Sequence, residues 1–202
     1  MPFLLIHETF QQTIQGEGYW IGTPCDFIRL YGCPVKCPWC DTGYADGGGA
    51  IAAQKVEITD LIAELKSDRV VISGGEPFFQ TNLKPLTEAI LKTGKKISIE
   101  TSGSRWQLLS ETVWITLSPK EHLNPEFPVI PEFWQRANEI KIVISDGKEP
   151  YFYQQYLQAE SPLFFQPEWN DRDRTIPLTL NLLREFPHAR LSPQLHKYLQ
   201  IP

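Results

Sequence analysis

Short apolar runs rich in β-branched and aromatic residues alternate along this chain with stretches of helical, amphipathic period. Such alternation commits a chain to strand–helix units around a mostly parallel sheet. Strands are expected over residues 26–30, 70–73, 96–100, 113–117, 139–144 and 162–166, and helices over 57–66, 82–93, 149–159 and 176–185. Gly94 stands as a stop signal after the second helix, and Pro177 occupies a place where a first-turn proline is tolerated. Six strands are too few for a complete eight-stranded barrel, which takes about 250 residues. The expected fold class is therefore α/β, an open, partial parallel β/α barrel of about six strands. Its 202 residues form one domain, 1–202, with one sizeable core. In such folds ligands collect at the C-terminal ends of the strands.

Nineteen Lys and Arg against 24 Asp and Glu give a net charge of -5, which argues against a protein that grips nucleic-acid phosphates. No run reaches the roughly 20 apolar residues that span a bilayer. The apolar start of the chain stops at His7 and Glu8, with neither a basic region nor a cleavage site. A cytoplasmic protein with no membrane or nucleic-acid partner is expected. Gly47-Gly48-Gly49 reads as a flexible surface loop, and the proline-rich stretches 119–131 and 162–167 as irregular connections.

All four cysteines, Cys25, Cys33, Cys37 and Cys40, fall within sixteen residues. Cys33, Cys37 and Cys40 follow the first expected strand in a loop rich in Pro and Gly, not at a core period, and their spacings of four and three can close on one metal centre. A zinc site usually takes four ligands, often as two separated pairs, and no second pair exists. Cys25 as a fourth ligand would have to reach along the strand at about 3.3 Å per residue, so it reads as a small buried apolar side chain. An iron–sulfur cubane held by three cysteines leaves one iron open to an outside ligand.

The run Cys33-Pro34-Val35-Lys36-Cys37-Pro38-Trp39-Cys40 resembles the cluster-binding motif of the radical S-adenosylmethionine enzymes. Further matches, running from Thr9 to the last residue, narrow the resemblance to the 7-carboxy-7-deazaguanine synthases. It implies a [4Fe-4S] cluster on Cys33, Cys37 and Cys40, S-adenosylmethionine cleaved reductively at the open iron, and Mg²⁺. The implied reaction is that of a carbon–nitrogen lyase, the radical contraction of 6-carboxy-5,6,7,8-tetrahydropterin to 7-carboxy-7-deazaguanine with loss of ammonia. An external electron donor, flavodoxin-like or ferredoxin-like, and a homodimer come with the resemblance, and the aromatic stretch 150–156 is available to such an interface or to the monomer core. Two departures stand out: Pro34 replaces a common Asn, stiffening the loop and removing one N–H, and the cysteine spacing is the simple form without insertion.

Other segments gain roles only through this resemblance. Ser73-Gly74-Gly75-Glu76-Pro77 alone is a glycine-rich turn after a strand; the resemblance places Gly75 and Glu76 at the amino-acid end of S-adenosylmethionine and Ser73 at the substrate. Pro38, Trp39, Cys40 and Asp41 are implied beside the adenine. Ser118, Pro119 and Lys120, and Gln166, Pro167, Glu168 and Trp169, end strands as ordinary turns would and are implied as further cofactor contacts. Thr42 by itself reads as a turn-capping hydroxyl; the resemblance makes it the Mg²⁺ ligand. Arg29, within an apolar strand, needs a partner for its planar fork, either a neighbouring carboxylate or a ligand. Ile14, Gln15, Gly16, Glu17 and Arg29 are implied as substrate contacts. His196 and Pro202, in the closing segment that begins Leu191-Ser192-Pro193-Gln194, are implied to fold back onto the same substrate. Two alternatives stay open: an activase that draws hydrogen from a partner enzyme's glycine, and a non-catalytic zinc module using Cys25.

Overall fold

The computed structural model describes residues 2–44, 52–157 and 161–202. The Gly47–Gly49 loop and the end of the helix expected over 149–159 lie outside these residues. Among the described residues nine strands form one sheet in the order β3-β1-β2-β4-β5-β6-β7-β8-β9. They are β1 (Phe3–Ile14), β2 (Pro24–Leu30), β3 (Gln54–Glu57), β4 (Arg69–Gly74), β5 (Lys96–Thr101), β6 (Trp114–Leu117), β7 (Glu139–Ile144), β8 (Leu163–Pro167) and β9 (Ala189–Leu191). From β2 to β9 every pairing is parallel, while β1 pairs antiparallel with both β2 and β3. The sheet ends at β3 and β9 without closing, so the expected open barrel is the one observed.

Helices α1 (Ile58–Glu64), α2 (Leu83–Lys92), α3 (Pro131–Arg136), α4 (Glu149–Phe152), α5 (Arg172–Glu185) and α6 (Leu195–Leu199) complete the chain. Side chains of a strand alternate between its two faces. Val70 and Ile72 of β4, Ile97 and Ile99 of β5, and Ile115 and Leu117 of β6 join Leu86 and Ile90 of α2 in one core cluster. Ile140, Ile142 and Ile144 of β7 pack with Phe165 and Leu182 in a second, and Trp134 of α3 packs against both. The intervening residues Ser73, Ser98, Glu100, Thr116, Glu139 and Lys141 take the other face together with the apolar Val71, Val143 and Phe164, so the barrel interior mixes polar and apolar side chains. Phe133, fully buried, holds Phe78 and Trp106 edge-to-face at 4.9 and 4.8 Å.

All six expected strands appear within two residues of their places, and α2 closes at Thr93–Gly94, where its stop signal stands. β1 is not among the expected strands, and Gln15–Gly18 lies in the connection between it and β2. Register shifts between Ile6 and Glu8 and between Phe10 and Thr13 break its two-residue alternation, and Gln12 turns to φ 57° with its N–H on Asp26. α3 begins at Pro131, inside the stretch read as irregular. The expected 149–159 helix ends at Phe152 and tightens into a 3-10 turn over Gln154–Tyr156, with Tyr153 fully buried and bonded through its hydroxyl to His122. α5 starts four residues before its expected position, which puts Pro177 inside the helix rather than in its first turn. The Glu168 carboxylate gathers the N–H groups of Asn170 and Asp171, and its carbonyl accepts the Thr175 hydroxyl, so the turn forms upstream of the proline.

Candidate active site

The loop leaving β2 carries the three clustered cysteines and is sewn to the end of β4. The Gly75 N–H donates to the Leu30 carbonyl at 2.8 Å, and the Glu76 N–H to the Gly32 carbonyl at 2.9 Å. A Cβ on Gly75 would lie 1.8 Å from the Gly32 oxygen, so only glycine permits the two loops to touch. Within the cysteine loop Lys36 turns to φ 54°, and the backbone N–H groups of Val35 and Lys36 offset part of the effect of burial on the Cys33 thiol. Burial pushes the Cys33 thiol up to about 11 and raises Cys37 as well, so both are neutral thiols until a metal takes their protons.

Cys33, Cys37 and Cys40 line one cavity of about 200 Å³. Its walls add Trp39, Gly74 and Gly75 from the two sewn loops, Glu76 and Ser102 beside them, and Ser118, Lys120 and Gln166 from the ends of β6 and β8. Glu76 is spent internally: its buried carboxylate accepts the Thr101 hydroxyl at 2.6 Å and the Ser102 N–H and hydroxyl at 2.7 and 2.6 Å. Burial still raises its pKa. Lys120 donates to the carbonyl and hydroxyl of Ser118, and burial lowers its pKa. Three thiols on one wall, beside a glycine cradle and exits of several parallel strands, suit a cluster with one site left for a small cofactor. Cys25 cannot complete a zinc set: it is fully buried at the opposite end of β2, opposite Thr13, with its thiol pushed up to about 12 by burial. Among the described residues no three His, Cys, Asp or Glu side chains close on a single ion.

A second cavity, of about 180 Å³, adjoins the first and shares Glu17, Asp41, Gly74, Gly75 and Glu100 with it. The structure brings together here every residue named above for the substrate. Ile14, Gln15, Gly16 and Glu17 come from the loop after β1, Arg29 and Ser73 from adjacent strands, and His196 and Pro202 from the closing segment. Thr42 also lines this space, its hydroxyl 3.4 Å from the Gly74 carbonyl. Arg29 has both of the partners open to it: its guanidinium pairs with Glu8 on β1 at 2.8 Å and also faces the cavity. Pro38 and Pro119 do not line either space. Pro167 and Trp169 line a separate groove with Tyr198, and the Glu168 carboxylate is occupied in starting α5.

The closing segment is knitted to the loop after β1. Leu195 donates to the Gly16 carbonyl, Gly18 donates to the Ser192 hydroxyl, and a Cβ on Gly16 would lie 2.1 Å from the His196 ring. Gln194, nearly buried, donates to Glu17 at 2.9 Å and to Asp41 at 2.6 Å, and Lys197 pairs with Asp41. Burial lowers the His196 pKa, favouring a neutral ring. Glu100, Lys141 and Gln194 are not among the residues singled out from sequence. For Glu100 and Lys141 the signal lies in the strands themselves: Lys-Ile-Ser-Ile-Glu and Glu-Ile-Lys-Ile place polar residues at every second position of buried strands; Gln194 lies in the closing segment, just before α6.

Residues 27–124 match the Radical SAM superfamily. The 7-carboxy-7-deazaguanine synthases of Synechocystis and Aquifex aeolicus are 36% and 34% identical to this chain, covering 97% and 96% of it and 92% of each relative. The synthase of Escherichia coli K12 is 34% identical over 97% of this chain and 98% of its own length. The crystal structure of QueE from Escherichia coli superposes with a TM-score of 0.80 at 32% identity, covering 96% of this chain and 95% of that one.

Proposed function

Because the chain belongs to the 7-carboxy-7-deazaguanine synthase family of the radical S-adenosylmethionine superfamily, we propose that it contracts 6-carboxy-5,6,7,8-tetrahydropterin to 7-carboxy-7-deazaguanine with loss of ammonia. In this reading Cys33, Cys37 and Cys40 hold a [4Fe-4S] cluster, the surrounding cavity holds S-adenosylmethionine, and Thr42 contributes to a Mg²⁺ site that takes further oxygens from substrate and water. The observation that carries it is the meeting of both ends of the chain on one cavity that opens into the cysteine cavity.

When bound, the cluster and S-adenosylmethionine supply the radical that begins the reaction. The protein's own residues orient the substrate and shield it. Arg29, steadied by Glu8, offers its remaining guanidinium donors to a carboxylate. Gln15 donates one amide hydrogen to Glu100 and keeps its carbonyl for a ring N–H. Glu17 stays ionised, because the charge and hydrogen bond of Lys141 outweigh burial and draw its carboxyl down to about 2, so it accepts from the heterocycle. A neutral His196 stacked on Gly16 and the Pro202 end of the chain cover the cavity and limit water.

The same reading includes an external flavodoxin-like or ferredoxin-like donor, a single domain over 1–202, a cytoplasmic location, and a homodimer that covers the exposed Tyr151 and Phe152. Among the described residues no helix is long and apolar enough to cross a membrane. The test is anaerobic turnover of the carboxypterin with dithionite, S-adenosylmethionine and Mg²⁺, read by mass spectrometry. The deazaguanine acid is expected. Release of 5′-deoxyadenosine without it would make the substrate assignment wrong and leave the superfamily standing.

A further inference from the structure

Three ionisable side chains, Glu17, Glu100 and Lys141, meet inside the barrel where the two cavities join. Lys141, on the inner face of β7, lies 2.8 Å from a Glu100 oxygen and pairs as closely with Glu17, and its side chain is 5% exposed. Each carboxylate has one oxygen on Lys141 and the other on an amide: Glu17 takes Gln194 and Glu100 takes Gln15. Two carboxylates against one ammonium leave a net charge of −1, and both acids line both cavities. A pair kept for packing alone would not carry that surplus, since unbalanced buried charge is costly.

We propose that Lys141 is a positioning residue of the substrate cavity: by bridging Glu17 and Glu100 it fixes two carboxylates side by side as acceptors for the N–H groups of a bound heterocycle. This rests on the pterin reading above. The charged groups around the triad are Glu139 two residues earlier on β7, Lys120 after β6, His196 on α6, and Asp41 through Gln194. Glu139 is committed elsewhere, accepting the Thr116 hydroxyl and the Tyr19 N–H. Lys141 is therefore the cation in contact with both acids. Without it, two adjacent buried carboxylates repel, and one takes up a proton and becomes a donor where an acceptor is needed.

The experiment compares wild type with Lys141→Met and Lys141→Arg by two readouts. In apo protein labelled at the glutamate side-chain carboxyl carbon, NMR should show Glu17 ionised from about pH 5 upward in wild type. In Lys141→Met one resonance should titrate with a midpoint above about pH 6. The stable analogue 6-carboxypterin should bind Lys141→Met about tenfold more weakly at neutral pH, with a new pH dependence, and Lys141→Arg should restore both signals. Lys141→Gln replaces the methionine variant if that fails to fold. The proposal is overturned if both carboxylates stay ionised without Lys141, or if affinity and pH profile are unchanged. Failure of wild type to bind 6-carboxypterin would overturn the pterin reading instead, and the carboxylate titration would still decide the role of Lys141.

Discussion

Replacing Gln194 with Ala separates the closing segment from the loop after β1 without touching a cysteine. The Gln194 amide makes two hydrogen bonds to carboxylates, at 2.9 Å to Glu17 and 2.6 Å to Asp41. A hydrogen bond to a charged group contributes about 1.5–3 kcal/mol. Asp41 is 45% exposed and keeps its Lys197 partner, so solvent compensates most of that loss, whereas Glu17, 15% exposed and already paired with Lys141, is compensated less by solvent. The expected cost is then about 2–3 kcal/mol, dominated by Glu17. Urea unfolding of the anaerobic apo-protein measures it. Hydrogen exchange supplies the local signature: amides of α6 and the Gly18 N–H should lose protection while α2 keeps its own. Substrate affinity should weaken more than turnover, because the cavity loses a wall and not a reacting group. A loss below about 0.5 kcal/mol with α6 protection unchanged would refute the reasoning, since the two segments would then be held by something other than this amide.

Iron content distinguishes the cysteines: Cys37→Ala should lose the cluster after anaerobic reconstitution, while Cys25→Ala should retain it and cost only about 1–2 kcal/mol of stability from a small buried void. Glu17 has a native carboxyl at about 2 against 4.5 for the free group, so the stability it contributes, about 3 kcal/mol, is full above pH 4.5 and fades as pH falls through 2. Acid unfolding of Glu17→Gln should lack that component, and an identical pH profile in the two proteins would rule it out. Phe133→Ala, which empties a fully buried aromatic site between Phe78 and Trp106, should cost about 3–5 kcal/mol in denaturant midpoint without changing the metal content.

Legibility followed locality. The parallel strands announced themselves because each carries β-branched or aromatic residues over a short buried run. β1 did not, because its bulges at Glu8 and Thr13 scramble the alternation that marks a strand, and β9, three residues long, gives no period to detect. Three cysteines in one loop were visible as a site, yet the residues opposite them were reached only through resemblance: nothing in Thr42 or Pro202 by itself separates a ligand contact from a turn or a chain end. Glu100 and Lys141 looked like ordinary polar residues in strands, and only the three-dimensional arrangement of β5 and β7 shows that their side chains meet. Glu168 has a local role that the sequence reading did not include, since its carboxylate accepts the N–H groups of Asn170 and Asp171 where α5 begins.

The hydrogen bond from Gly18 to Ser192 spans 174 residues, whereas the cysteine loop finds its partners by Glu76. A chain emerging from the ribosome folds from its N-terminus. The cysteine loop thus has its backbone partners once Glu76 is made, whereas the second cavity waits for the closing segment around Ser192 and His196. On the proposed function, the loop that would take up iron is therefore made before the segment that covers the substrate cavity.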